Sequence, residues 1–137
     1  MAHQQTIEVR TGGRGTTNIT AEVARAARTA GVATGVVHVF VQHTSCALII
    51  TENADPDVRR DLETLARRWA PDGDPAYRHD LEGDDDMAAH ARSVLCGASV
   101  SVPLGAGELL LGTWQGIFLW EHRSAPQLRR LVVTVTS

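Results

Sequence analysis

Polar and apolar residues alternate through QTIEVR at positions 5–10, the two-residue period of a half-buried strand. Gly12, Gly13 and Gly15 then break the run and predict a turn. The segments VVHVFVQ (36–42) and CALIIT (46–51) are apolar and β-branched, and predict two strands of a well-buried sheet. His43, Thr44 and Ser45 either separate these strands or continue them as one. Short apolar runs at 98–102, 107–112, 116–121 and 131–136 alternate with turn residues and predict further strands. Helical patterns lie between. Thr20 is positioned to cap a helix over 21–30, and Gly31 stands where a helix end favours positive φ. Asp55 and Pro56 suit an N-cap and first helical position, and Val58, Leu62, Leu65 and Trp69 follow as one apolar stripe. Pro71, Gly73 and Pro75 predict a loop. Asp86 then suits the cap of a short helix ending near Leu95, with Gly97 after it. About seven strands and about three helices, without βαβ alternation, predict an α+β fold on a largely antiparallel sheet or sandwich.

The 137 residues fit a single domain spanning 1–137. The hydrophobic share of 43% and charged share of 21% are those of an ordinary globule. A formal net charge of −3 gives no chain-wide basic footprint for nucleic acid. No apolar run approaches the ~20 residues of a membrane span, and the first residues lack an apolar signal region. A soluble cytoplasmic protein is expected. All 13 basic residues are arginines. The absence of lysine excludes a Schiff base, a Walker A lysine and a Ser–Lys dyad. Cys46 and Cys96 form no CxxC pair and read as small buried residues, with a disulfide or reactive thiol as the other readings.

Six histidines are many for a chain with one tyrosine and two phenylalanines. Strand alternation sets His38 on the face opposite Val37, Val39 and Val41. His43, His79 and His90 each sit at an element edge, and Glu82, Asp84, Asp85 and Asp86 lie between the last two. Imidazole with carboxylate suits a divalent ion. Spacing alone favours separate structural roles for these histidines over a shared metal site. Ser45 lacks a GxSxG elbow, so it reads as a strand hydroxyl before a nucleophile. Glu52 and Asn53 precede the Asp55 cap, where a helix end also accepts phosphate. In GTWQGIFLWEH, the tryptophans suit a core or subunit interface, whereas Thr113, Gln115, Glu121 and His122 are positioned to line a pocket. Arg123, Arg129 and Arg130 suit anions or surface ion pairs.

The segments QHTSCALIITENADPDVRRDLE, YRHDLEGDDDMAAHARSVLCGASVSVP and GTWQGIFLWEHR together resemble the YjbQ family of small bacterial and archaeal proteins, over about residues 36–136. The resemblance implies an α+β domain assembled as a homotrimer, and the family carries the description secondary thiamine-phosphate synthase. It implies His43, His79, Glu82 and His90 as catalytic residues and His43, His79 and His90 as ligands of a divalent metal, with zinc, magnesium and manganese open. The family's His-x-x-Glu-Gly motif falls on His79, Glu82 and Gly83, whereas Asp84 stands where many relatives have Asn. The expected function is a metal-assisted transferase joining hydroxymethylpyrimidine diphosphate to a thiazole phosphate, with release of pyrophosphate. Ser45, Asn53, Arg78, Thr113, Gln115 and Arg123 are the expected contacts to the phosphorylated substrate. The alternatives are a metal-dependent hydrolase with Glu82 as general base, and a non-enzymatic trimeric protein binding a small molecule or metal.

Overall fold

The computed structural model describes residues 2–137. In chain order the elements are β1 (Ala2–Arg10), β2 (Gly15–Asn18), α1 (Thr20–Ala30), β3 (Gly35–Val41), β4 (Cys46–Glu52), α2 (Pro56–Trp69), α3 (Asp86–Cys96), β5 (Ser99–Gly105), β6 (Glu108–Leu109), β7 (Gln115–Glu121) and β8 (Leu128–Thr136). They form a five-stranded sheet, β1-β8-β3-β5-β6, and a three-stranded sheet, β2-β7-β4. Every pairing is antiparallel. This is the predicted α+β class. The core lies where inward side chains of both sheets meet α1: Val37, Val39, Val41 and Val133 from the larger sheet, Leu48, Ile117 and Leu119 from the smaller, and Val23 and Ala27 from the helix.

Alternation explains β3, where Val37, Val39 and Val41 are buried while Val36 and His38 are exposed, His38 bonded to Ser101 (Nδ1 to Oγ, 2.8 Å). In β7, residues from Gly116 to Glu121 are all buried because both faces are covered. Ile117 and Leu119 face the core, and Phe118 and Trp120 meet α2 on the other side. There the Arg59 guanidinium lies 4.9 Å from the Phe118 ring, and Trp120 Nε1 donates to Glu63 at 3.3 Å. The stripe of α2 that meets the sheet is therefore Arg59, Glu63, Ala66 and Ala70, one position round from the apolar stripe of the sequence. Leu65 and Trp69 remain exposed. Trp120 is buried, but Trp114, expected to pack, is 64% exposed.

Local chemistry sets several boundaries. Asp55 caps α2 by accepting from Asp57 N at 2.9 Å, and Gly31 ends α1 at φ 69°. Thr20 is a helical residue instead of a cap. Its hydroxyl donates to Asn18 Oδ1 (2.7 Å) and accepts from Ile117 N (2.9 Å), which ties α1 to β7. The glycine-rich stretch read as a turn also opens a strand, β2. Gly13 is required there: its φ is +94°, and a Cβ would lie 2.3 Å from Ser124 O. The two cysteines are free, and burial pushes the Cys46 thiol up to about 12.

Apart from residues 110–114, at the far end of the β4–β7 ladder, the chain passes between the two sheets through three short crossings: residues 11–14, 42–45 and 122–127. All three meet at one buried ion pair. Glu121 is fully buried and Arg129 is 4% exposed. Arg129 Nε donates to Glu121 Oε1 at 2.8 Å, and Nη2 bonds Oε2 as well. Thr11 Oγ1 donates to Glu121 (2.8 Å), and Ser45 Oγ accepts from Arg129 (2.9 Å). Burial pushes the Glu121 carboxyl up, but Arg129, Arg123 N–H and Thr11 outweigh it and hold the group below its ordinary value. Removing one partner strands a buried charge. Arg129→Met alone should cost about 3–5 kcal/mol in urea unfolding, and the double change with Glu121→Leu should cost distinctly less. Equal losses would show that the crossings do not depend on the pair.

Candidate functional site

The segment between α2 and α3 contains little to anchor it by burial, and Leu81 is 95% exposed. Polar contacts hold it. Arg14, in the first crossing, grips Asp72 through two bonds of 2.6 Å and donates Nε to His122 O. Asp85 occupies the N-cap position of α3 without bonding the helix. Its Oδ2 accepts from Arg123 Nε (2.9 Å), Ser124 N (2.9 Å) and Ser124 Oγ (3.1 Å). Burial raises the Asp85 carboxyl, but these donors prevail and it falls to about 2.

Asp86, expected as the cap, is instead the first helical residue and nearly buried. A spacing of four places His90 on the same helix face. Asp86 Oδ2 lies 2.7 Å from His79 Nε2 and 3.0 Å from His90 Nε2. Its other oxygen pairs with Arg123 Nη1 at 2.8 Å. Glu82 Oε2 lies 3.1 Å from His79 Nε2. One ligand atom from each of His79, Glu82, Asp86 and His90 falls within 4.8 Å of all the others. Burial pushes Asp86 up, but bonding from His79 and the charge of Arg123 hold it below the usual carboxylate range. The bond to Asp86 raises His79 against the opposing effect of burial.

The third crossing supplies Arg123, and the second supplies Thr44. The Thr44 carbonyl meets His90 Nδ1 at 2.9 Å. A carbonyl only accepts, so Nδ1 carries a proton, and Nε2 of a neutral ring presents its lone pair to the Asp86 carboxylate. Two lone pairs at 3.0 Å repel unless a proton or a cation lies between them. The carbonyl–imidazole arrangement is the outer support that orients a metal-binding histidine. Two imidazoles and two carboxylates therefore fit a divalent ion in both donor type and orientation. Glu82 and His79 are exposed, so the group opens to solvent on their side.

The other expected site residues lie elsewhere. His43 is outside the group: its Nε2 accepts from Arg130 N at 2.8 Å. The three imidazoles expected to converge do not do so within one chain, because the crossing turns His43 toward β8 and Thr44 toward α3. Ser45 is buried against Arg129. Asn53, Thr113 and Gln115 are brought together, but with one another: Asn53 Nδ2 donates to the carbonyls of Thr113 and Gln115 at 3.3 Å. The β4–β7 ladder runs from Cys46 opposite Glu121 to Glu52 opposite Gln115, so these residues stand about 20 Å from the crossings at ~3.3 Å per residue. Arg78 is exposed beside His79. Arg123 is committed to Asp85, Asp86 and the Glu82 carbonyl (3.1 Å). Asp84 is outside the four-residue group and lies beside Gly73, whose N–H its carbonyl accepts at 3.0 Å.

The sequence matches the family described as UPF0047 protein YjbQ-like over residues 5–137. The chain belongs to this family. A UPF0047 protein of Synechocystis sp. is 46% identical over 134 residues, 98% of this chain and 91% of the relative. YjbQ of Salmonella typhimurium is 41% identical over 136 residues, 98% of each. Among solved structures, a conserved hypothetical protein of Thermus thermophilus superposes with a TM-score of 0.87 at 39% identity, covering 96% of this chain and 99% of that one. A hypothetical protein of Aeropyrum pernix gives 0.90 at 28% identity, covering 98% of each chain. No helix among the described residues is long and apolar enough to cross a membrane.

Asp86 is the member of the group that the sequence hides, because an aspartate before a helix has the pattern of its cap. The signal was its i, i+4 relation to His90. His122 was expected in a pocket, but it is fully buried, with neither ring nitrogen bonded, 5.0 Å from the Trp120 ring. Burial, then Arg92, Arg14 and Arg129, push it down to about 3.

Two outcomes follow. Arg123→Gln should release Glu82, Asp85 and Asp86 together, and residues 79–86 should exchange amide hydrogens at least tenfold faster, with the sheets protected as before. Unchanged exchange would mean that the loop does not rest on Arg123. His122 has a folded value below its ordinary 6.5, so the unfolded chain binds the extra proton. Its contribution is complete above pH 6.5 and is lost as pH falls toward about 3, on the order of a few kcal/mol. Urea midpoints measured across that range should fall less steeply in His122→Leu, and an identical slope would exclude His122 as the cause.

Proposed function

We propose that the chain is a divalent-cation-dependent enzyme acting on a small phosphorylated substrate, and that the reaction is the coupling of hydroxymethylpyrimidine diphosphate to a thiazole phosphate. The observation supporting it is the single oxygen of Asp86 set between two imidazole nitrogens, one of them turned inward by the Thr44 carbonyl.

A cation bound there supplies positive charge to a diphosphate leaving group. The protein's own residues do the remainder. Asp86 and His90 orient the donor set from the rigid start of α3. Arg123 positions Asp86 and neutralises Asp85, so it does not serve as the substrate's own cation. Arg78, exposed beside His79, is the guanidinium available to grip a phosphate through its planar fork. In the coupling step the methylene carbon–oxygen bond breaks, and its electron pair leaves with pyrophosphate. The thiazole nitrogen's lone pair forms the new carbon–nitrogen bond. This step needs no protein nucleophile and no general base. Glu82, exposed and 3.1 Å from His79, gives hydrolysis its basis as a second reading, since it is positioned to take a proton from water. The apolar side chains left open on α2 support the proposed homotrimer.

Chelator-treated protein titrated with zinc, manganese and magnesium should take up one cation per chain. Asp86→Asn and His90→Ala should each weaken uptake at least tenfold, consistent with loss of a ligand, while His43→Ala leaves it unchanged. Pyrophosphate should appear only with both precursors and the cation present. Equal affinity in all three variants would refute the cation reading. Phosphate release from either precursor alone would replace coupling by hydrolysis.

A further inference from the structure

We propose that a pocket at the β1–β8–β3 corner of the larger sheet, separate from the histidine–carboxylate group, is a binding subsite for a phosphate monoester. Glu8, Gln42, His43, Leu128 and Arg130 line a cavity of about 300 Å³. Register brings them together. Glu8 stands opposite Arg130, and Val41 opposite Leu131, which sets Gln42 opposite Arg130 on its other flank. Gln42 N donates to Arg130 O at 3.1 Å. Directly opposed residues share a face, and Leu128, two positions from Arg130, shares it too. The inward positions of the same strands, Val9, Val41 and Leu131, are core residues, so this face looks outward.

His43 closes the end of the pocket. Its Nε2 accepts the Arg130 backbone N–H at 2.8 Å, so a neutral ring carries its proton on Nδ1. Nδ1 is not among the buried unpartnered atoms of the described residues, and it has no bonded partner there, so it is open to solvent. Burial, then the charges of Arg129 and Arg130, lower the proton affinity of the ring and keep it neutral, with Nδ1–H as a fixed donor. The Arg130 guanidinium forms no salt bridge among the described residues, even with Glu8. Arg130, His43 and the Gln42 amide thus offer donors on one side, a set that suits a phosphate dianion. Glu8 offers an acceptor on the other, which suits a hydroxyl on the ester's alcohol portion, and Leu128 supplies an apolar wall.

The test uses chelator-treated full-length protein with labelled histidine rings, titrated with inorganic phosphate at ionic strength matched with chloride. The His43 ring signals should move saturably. Arg130→Gln, an exposed change, should weaken the response at least tenfold, and Glu8→Gln should strengthen it for inorganic phosphate. Glycerol phosphate should bind more tightly than inorganic phosphate to the unaltered protein, and that preference should vanish in Glu8→Ala. His79→Ala should leave the His43 response to phosphate unchanged. A response matched by chloride, or preserved in Arg130→Gln, would overturn the subsite. So would its loss in His79→Ala, which would place the ion at the other group. Inorganic phosphate bound as tightly as the ester would overturn the ester assignment. The protein is free of added cation throughout, so failure here is independent of the cation reading.

Discussion

Glu121 and Arg129 meet at the one place where three crossings between the sheets converge, and much of the molecule is arranged around satisfying them. A carboxylate and a guanidinium taken out of water each lose several kcal/mol of hydration, which their attraction offsets only when the remaining hydrogen-bonding positions are filled. Thr11 fills one on Glu121 from the first crossing, and the Arg123 N–H fills another from the third. Ser45 accepts from Arg129 through both its hydroxyl and its carbonyl, from the second. Each crossing is thereby fixed to the others without a large apolar anchor. Gly13 packs so closely on Ser124 that only hydrogen fits, which holds the first crossing against the third.

The histidine–carboxylate group inherits its geometry from that junction. Its four members come from a stretch of twelve positions, 79–90, but what orients them comes from the crossings. Thr44, next to the buried Ser45, aims His90. Arg123 and Ser124, just past Glu121, hold the N-terminus of α3 and the Glu82 carbonyl. Arg14 anchors the start of the loop through Asp72. A loop rich in aspartate, glycine and proline has little hydrophobic reason to adopt one shape. Here Arg14 and Arg123 give it one, and the acidic run that reads as a solvated surface becomes a set of partners for these arginines and for His79 and His90.

Strand periodicity made β3, β4, β7 and β8 legible in the sequence, because each has a strong apolar pattern and a buried neighbour. The Asp55–Pro56 cap and Gly31 were legible because they act within one turn of chain. Less was visible where the partner is distant. Thr20 looks like a cap, but β7 recruits its hydroxyl. The stripe of α2 rotates by one position because Glu63 and Arg59 find partners in Trp120, Arg92 and Phe118 that no local pattern announces. The same limit divides the site. His79, Glu82 and His90 were expected from the family resemblance, and Asp86 lies within about one helical turn of His90. Asn53, Thr113 and Gln115 were grouped with them by residue type, yet the β4–β7 ladder carries them to its other end.

The four side chains satisfy one another as an ion-pair network when the imidazoles are protonated, and would hold a divalent ion when they are neutral. Arg123 balances Asp85, the carboxylate it holds most fully, and reaches Asp86 with its remaining nitrogen. Glu82 and Asp86 then face two imidazoles with about two negative charges and one shared guanidinium edge. Protonating both rings would neutralise them as well, His90 then donating Nδ1–H to Thr44 and Nε2–H to Asp86. An ion of charge two would answer both oxygens and both nitrogens at once, whereas protons answer them one pair at a time. Arg78, next to His79 in the chain, and Arg130, in the β1–β8–β3 pocket, are among the arginines that form no salt bridge among the described residues. A phosphorylated ligand would find its positive partners there, and Ser45 and Arg123, for all their suitable chemistry, are already spent on holding the crossings in place.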